Sequence, residues 1–145
     1  MESLLVSNRM PSALRLEAGL QNILVVDDDD SVRELMAIVL EAEGYTVFRA
    51  RHSREALYLS SEFPGTIHLL LTDICMQPHA DGFSLAREIR RDRPDIQVIF
   101  ASGFVDHHKL ESELEARPSE FLAKPFSPSA LVDRVRKSLA LSTQT

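Results

Sequence analysis

Ile67-His-Leu-Leu-Leu-Thr-Asp73 is the stretch whose reading decides the fold. Leu69, Leu70 and Leu71 in succession leave it no polar face, so it reads as a strand buried on both sides. That pattern belongs to the central strands of a parallel α/β sheet. The run ends on a carboxylate. In open α/β sheets the working crevice lies beyond the carboxyl ends of the strands, which places Asp73 at the mouth of the sheet. A second apolar run, Ile23-Leu-Val-Val26, ends the same way, on Asp27-Asp28-Asp29-Asp30. Two buried strands opening onto carboxylates bring several negative charges to one place, and something must neutralise them.

Outward from these two strands the pattern alternates. The helix after Ile23–Val26 opens with Ser31-Val-Arg-Glu34, a capping-box spacing, and Val32, Leu35, Met36, Val39 and Leu40 recur on one helical stripe. Gly44 closes it. Tyr45–Phe48 reads as the second strand, and Ser53 caps a helix to about Glu62, where Phe63-Pro64-Gly65 breaks it. Past Asp73, Gly82–Arg91 is helical, with Phe83, Leu85, Ala86 and Ile89 apolar and Pro94 as its stop. Ile96–Ala101 is the fourth strand, Asp106–Ala116 a polar helix, and Phe121–Ala123 the fifth strand after Pro118. Ser127-Pro128, an N-cap followed by proline, starts a last helix carrying Leu131, Val132, Val135 and Leu139. Five strands alternating with five helices predict an α/β, doubly wound, five-stranded parallel sheet with helices on both faces. Residues 21–141 make one domain. Residues 1–20 read as an N-terminal extension, a mobile tail in preference to a docking or dimerising arm, and 142–145 as a short tail.

Composition narrows the function classes. A chain of 145 residues fits one domain and buries roughly 68–70% of its unfolded surface, so it needs no staple. One cysteine, Cys75, excludes an internal disulfide and fits a reducing compartment. The net charge of −6, with basic residues spread through the helices, carries no footprint for nucleic acid. No apolar run approaches the length of about 18 residues that a membrane span needs. Leu4-Leu-Val6, preceded by Glu2, is too short for a signal peptide. The expectation is a soluble cytoplasmic protein with no nucleic-acid or membrane partner.

Asp27 and Asp28, Asp73, Ser102 and Lys124 all fall at strand ends, on one edge of the expected sheet. The three aspartates make an oxygen-rich pocket suited to a hard cation, and a backbone carbonyl just after Asp73 could complete it. A carboxylate is a competent nucleophile toward a phosphoryl group, giving an aspartyl phosphate. Phosphoryl transfer asks mainly for positioning and charge stabilisation. Mg2+ supplies part of that charge and Lys124 a second part; Ser102 donates to a phosphoryl oxygen, and Gly103 leaves access open. Taken singly, each residue has a plainer reading: a solvated acidic loop, a helix cap, a surface lysine, a Ser-Gly turn. Their coincidence at one edge favours the joint reading.

The segments Ile23-Leu-Val-Val-Asp-Asp-Asp-Asp30, Leu71-Thr-Asp-Ile-Cys-Met76, Ala101-Ser-Gly103 and Phe121-Leu-Ala-Lys-Pro-Phe126 resemble the receiver domain of two-component response regulators. The resemblance runs from about Gln21 to Leu141. It implies a flavodoxin-like sheet of order 2-1-3-4-5, with Asp73 as phosphoacceptor and Asp27 and Asp28 as the acidic pair beside it. It implies Mg2+ (Mn2+ as a substitute) held by Asp27, Asp28, Asp73 and the backbone carbonyl of Cys75. Ser102 matches the switch hydroxyl, Lys124 the site lysine and Phe121 the rotating aromatic. Cys75 and Phe104 occupy positions that modulate hydrolysis; neither orients water well, so a phosphate that outlives seconds is expected. Two departures stand out. Gln77 separates Met76 from Pro78, lengthening the loop by one residue, and Asp30 stands where proline is common.

The expected function is a stand-alone receiver, not an enzyme on a separate substrate. It would take phosphate from a histidine kinase or phosphotransfer protein and present a changed surface to a protein effector through residues 106–116, the fifth strand and the last helix. It would do so as a monomer or weak homodimer. A phosphate sink in a phosphorelay is the nearest alternative. A Mg2+-dependent phosphatase acting through an aspartyl phosphate is a different class, disfavoured because Cys75 stands where such enzymes place a second carboxylate. A flavin carrier is disfavoured by the acidic pocket. Cys75 reads as a neutral filler rather than a redox sensor, and His107-His108 as solvent-facing residues or part of a partner surface rather than metal-binding.

Overall fold

The computed structural model describes residues 21–76, 81–103, 107–116 and 119–143. Five strands alternate with five helices: β1 (Asn22–Val26), α1 (Asp30–Ala42), β2 (Thr46–Ala50), α2 (Ser53–Glu62), β3 (Leu69–Asp73), α3 (Gly82–Asp92), β4 (Gln97–Ser102), α4 (His107–Ala116), β5 (Glu120–Ala123) and α5 (Pro128–Thr143). The strands form one parallel sheet of order β2-β1-β3-β4-β5. The fold class and strand order match the expectation. The readings for 1–20, for the Gln77 insertion and for Phe104 concern residues outside those described.

Strand side chains alternate between two cores, as the two-residue period demands. Leu24, Val26, Phe48, Ala50, Leu70, Val98 and Phe100 point to the face covered by α2, α3 and α4. Ile23, Val25, Val47, Leu69, Leu71, Ile99, Ala101 and Leu122 point to the face of α1 and α5, where Met36, Leu40, Leu131, Val135 and Leu139 meet them. Leu69, Leu70 and Leu71 have no exposed surface, which accounts for a run without a polar face. Each such side chain stabilises the fold by about 1.5–3 kcal/mol.

Several helix starts differ from expectation, each for a local reason. Asp29 caps α1: its Oδ1 accepts from the backbone N–H groups of Ser31 and Val32 at 2.9 and 3.1 Å. Ser31 therefore sits inside the first turn rather than at the cap. The buried stripe of α1 is Arg33, Met36, Ala37 and Leu40, with Val32 and Val39 half-buried, while Leu35 faces solvent beside Ile38. The stripe is turned because Arg33 reaches inward to a backbone carbonyl of the preceding loop. His52, not Ser53, caps α2, its Nδ1 accepting from Glu55 N–H. Gly44, at φ 100°, ends α1 in the left-handed conformation that glycine adopts without strain. Ser127 caps α5 as expected, its Oγ accepting from Ala130 N–H at 3.1 Å, and the helix continues to Thr143.

Two features set the position of β3. Asp81 caps α3 through Ser84 N–H at 2.8 Å, and its other oxygen takes Lys109 Nζ of α4 at 2.9 Å. Next to it, Gly82 donates its N–H to the Ile74 carbonyl at 2.8 Å. A Cβ on Gly82 would lie 2.2 Å from the Asp73 carbonyl oxygen. Backbone lies on both sides of that contact, so no side chain can give way. Gly82→Ala is expected to destabilise the fold by about 1–3 kcal/mol, the usual cost of overpacking, as a lowered midpoint in urea unfolding with unchanged slope. An unchanged midpoint would contradict this packing.

At the other end of β3, His68 N–H donates to the Asn22 carbonyl, and His68 Nδ1 accepts from Asn22 N–H at 2.9 Å. Burial holds this imidazole below its ordinary value of 6.5, and the accepted N–H uses the lone pair that a second proton would take. With the folded value depressed, the unfolded chain binds the proton first. Stability is therefore full above about pH 6.5 and falls as pH drops through the lower folded value. His68→Asn, whose Oδ1 can take the place of Nδ1, should flatten the pH dependence of the unfolding midpoint between pH 7 and 5. A slope identical to the parent's would assign the dependence elsewhere.

Candidate functional site

The carboxyl ends of β1, β3, β4 and β5 converge, and each brings one of the expected side chains. Asp27 follows β1 and has no exposed surface. Its backbone N–H donates to Ala50 O, its Oδ1 accepts from Asp29 N–H at 2.9 Å, and its Oδ2 accepts from Lys124 Nζ at 2.7 Å. Asp28 is exposed at the rim. Asp73 closes β3 and is buried, with Thr72 Oγ1 donating to its carbonyl oxygen at 2.9 Å. Lys124 Nζ also lies 3.4 Å from Asp73 Oδ2, so one ammonium bridges the two buried carboxylates.

Burial raises the Asp73 carboxyl above its ordinary value of 3.8, and Asp27 adds to the shift; Lys124 opposes both. Burial alone would lower the Lys124 ammonium. The hydrogen bond and charge of Asp27, with the charge of Asp73, outweigh it and hold the ammonium above its ordinary 10.5. The lysine is thus a fixed cation. The aspartate it faces is a carboxylate poorly supplied with water, a state that favours a new bond or a new positive charge at its oxygen.

One carboxylate oxygen from each of Asp27, Asp28 and Asp73 can be chosen so that all lie within 4.8 Å of one another. Three hard oxygen donors at that spacing fit a small divalent cation such as Mg2+, which prefers carboxylate and water oxygens. Soft or nitrogen donors are absent from the described part of the cluster.

Ser102 ends β4 and is buried; its carbonyl accepts from Lys124 N–H at 3.0 Å, tying the two strand ends together. Asp73 pairs in register with Ala101, and Ser102 with Ala123, which sets Ser102 and Lys124 one step beyond the phosphoacceptor candidate. Gly103 is exposed, and a Cβ there would make only an ordinary 3.8 Å contact with Lys124 Cβ. Crowding therefore does not require glycine at 103. The Lys124–Pro125 peptide is cis. Phe121 is half-buried in β5, opposite Phe100 and packed against the α2–α3–α4 core. Cys75 is exposed and faces Asp81 across an isolated bridge. His108 is exposed on α4, as expected.

Two contributors went unread in the sequence. Gly82 was legible only as a helix start, whereas it is the residue that lets α3 approach the Asp73 carbonyl. Arg33 looked like part of a capping pattern, whereas its buried guanidinium donates to Asp27 O and Asp30 Oδ1. An arginine interrupting an apolar stripe was the available signal.

Among the described residues no helix is long and apolar enough to cross a membrane. The family model for the response regulator receiver domain matches residues 23–136. Among characterised proteins, the sensor kinase CckA of Brucella abortus is 35% identical over 122 residues, which cover 84% of this chain and 13% of that protein. The response regulator RR06 of Streptococcus pneumoniae is 36% identical over 115 residues, covering 79% of this chain and 51% of that one. The chain thus spans about half or less of the length of these relatives. A solved receiver domain protein from Methanospirillum hungatei superposes with a TM-score of 0.78 at 27% identity, covering 86% of this chain and 98% of its own. Fold, site geometry and these likenesses agree, and the chain belongs to the response regulator receiver domain family.

Proposed function

We propose that this receiver unit accepts a phosphoryl group on Asp73 and converts it into a change of protein-binding surface. The observation that carries the reading is the Lys124 ammonium held on both Asp27 and Asp73 beside a three-carboxylate cluster. An Asp73 oxygen attacks the phosphorus of a phosphohistidine on a histidine kinase or phosphotransfer protein. The O–P bond forms as the P–N bond breaks, and the imidazole leaves with the electron pair. Asp27, Asp28 and Asp73, with the Cys75 carbonyl, would hold Mg2+, which neutralises charge on the transferring group; Mn2+ suits the same oxygens. Lys124, held beside Asp27 and Asp73, would stabilise charge on the phosphoryl oxygens next to Asp73. No separate substrate is turned over: the protein catalyses its own phosphorylation and loss of phosphate.

The phosphoryl group adds acceptor oxygens at the end of β3, and movement of Ser102, at the end of the neighbouring strand, would bring its hydroxyl toward them. Inward movement of Ser102 vacates volume beside β5, which half-buried Phe121 can enter. The surface of α4, β5 and α5 is the one such a rotation alters, and it is the docking face for an effector in this reading. A population swing from 1:99 to 99:1 requires the phosphoryl group to favour the active arrangement by about 5.5 kcal/mol. A phosphatase acting on outside substrates is not supported, because exposed Cys75 offers no acid–base carboxylate where that chemistry needs one.

Incubation with acetyl phosphate and Mg2+, followed by intact mass, tests the reading. One phosphate is expected on the parent and none on Asp73→Asn or without Mg2+. Lys124→Met should slow adduct formation by about 10²–10³-fold, the usual cost of removing one preorganised charge from a transition state. A parent that never gains a phosphate, or an Asp73→Asn variant that still does, would sink the assignment.

A further inference from the structure

The four successive aspartates have different surroundings. Asp27 is buried against Lys124, Asp28 is exposed at the rim, Asp29 caps α1, and Asp30 pairs with Arg33 from an exposed position. Arg33 is the unusual partner. It lies on the buried stripe of α1 among Met36, Ala37 and Leu40, where an apolar residue would be expected. Its Nη1 donates to the Asp27 carbonyl at 3.0 Å and its Nη2 to Asp30 Oδ1 at 2.7 Å. One planar guanidinium thus joins the carbonyl that opens the turn to the first residue of α1, with Asp28 and Asp29 between them. Lysine could not reproduce that grip, since its ammonium lacks the rigid fork.

We infer that Arg33 is a positioning residue for the cation site: it fixes the turn from Asp27 to Asp30 so that Asp27 and Asp28 face Asp73 together. The inference rests on the proposed use of the three aspartates as cation ligands. Arg33 does not touch that cluster with a side-chain contact; it acts through the Asp27 backbone. Groups that orient ligands from outside typically change metal affinity by 10–100-fold when removed.

Arg49 supplies the control. It lies on β2 and ties the outer side of the same helix through Glu34 and Glu41, at 2.9 and 3.0 Å, without reaching the loop. Calorimetric titration of the unphosphorylated protein with Mg2+ alone, beside thermal melts without metal, separates positioning from general loosening of α1. Arg33→Met is expected to bind Mg2+ about 10–100-fold more weakly than the parent, whereas Arg49→Met keeps the parent's affinity even where its melting temperature falls as far. Arg33→Lys should lie between Arg33→Met and the parent. Equal affinity in parent and Arg33→Met, or equal losses in Arg33→Met and Arg49→Met, would overturn the inference. If Arg33→Met does not fold, Arg33→Lys decides: parent-like affinity there overturns it too. A parent that binds no Mg2+ overturns the cation reading itself, and with it this role for Arg33.

Discussion

One ammonium group holds the functional edge of this protein together. Lys124 Nζ meets Asp27 at 2.7 Å and Asp73 at 3.4 Å, joining the ends of β1, β3 and β5. Asp27 has no exposed surface and Asp73 little. Two carboxylates desolvated side by side repel each other, and neither can be stripped of water without a nearby positive charge. Removing one partner of such a buried set typically costs about 3–5 kcal/mol, because the remaining charge is left uncompensated. The pair is therefore a demand the fold must meet rather than a surplus of stability. The apolar faces of the sheet provide the stability that allows it.

That demand explains how the strand ends are arranged. Asp73 is directed by the register of β3 on β4, and its carbonyl is pinned by Thr72 Oγ1 and closely covered by Gly82. Asp27 is fixed from four sides, by Ala50 O at its N–H, Arg33 Nη1 at its carbonyl, Asp29 N–H at one carboxylate oxygen and Lys124 at the other. A site held this firmly before any ligand arrives spends little energy on reorganisation when charge develops there.

The far side of Asp73 connects to α4 by direct contacts. Asp81 caps α3, faces Cys75 across a bridge and bonds Lys109, whose ammonium lies 5.5 Å from the centre of the Phe83 ring. Burial alone would raise the Asp81 carboxyl, but Ser84 N–H and Lys109 outweigh it and keep it below its ordinary value. A second tie, Arg87 to Glu113, joins α3 to α4 one turn along. These links form a contiguous route from the end of β3 to the surface that the proposed switch would alter. They are solvent-accessible ion pairs, each worth little alone, and they act beside the apolar packing of Leu110 and Leu114 that seats α4 on the core.

The sequence by itself determined the number, type and order of the elements. Unbroken apolar runs at Ile23–Val26 and Leu69–Leu71, and glycine and proline at helix ends, are local signals that tertiary packing did not override. It also placed Asp27, Asp28, Asp73, Ser102 and Lys124 at strand ends, since in a parallel sheet all carboxyl ends lie on one edge. The strand order came from family resemblance, not from periodicity. Only the tertiary structure decided which residue neutralises which. Lys124 lies 97 residues from Asp27, and no local pattern encodes that contact. It likewise decided that Asp29 rather than Ser31 caps α1, since four identical side chains in a row look alike until each finds a different partner. Gly82 and Arg33 stayed hidden for the same reason: a missing Cβ matters only where another backbone approaches, and a buried guanidinium only where a carbonyl receives it.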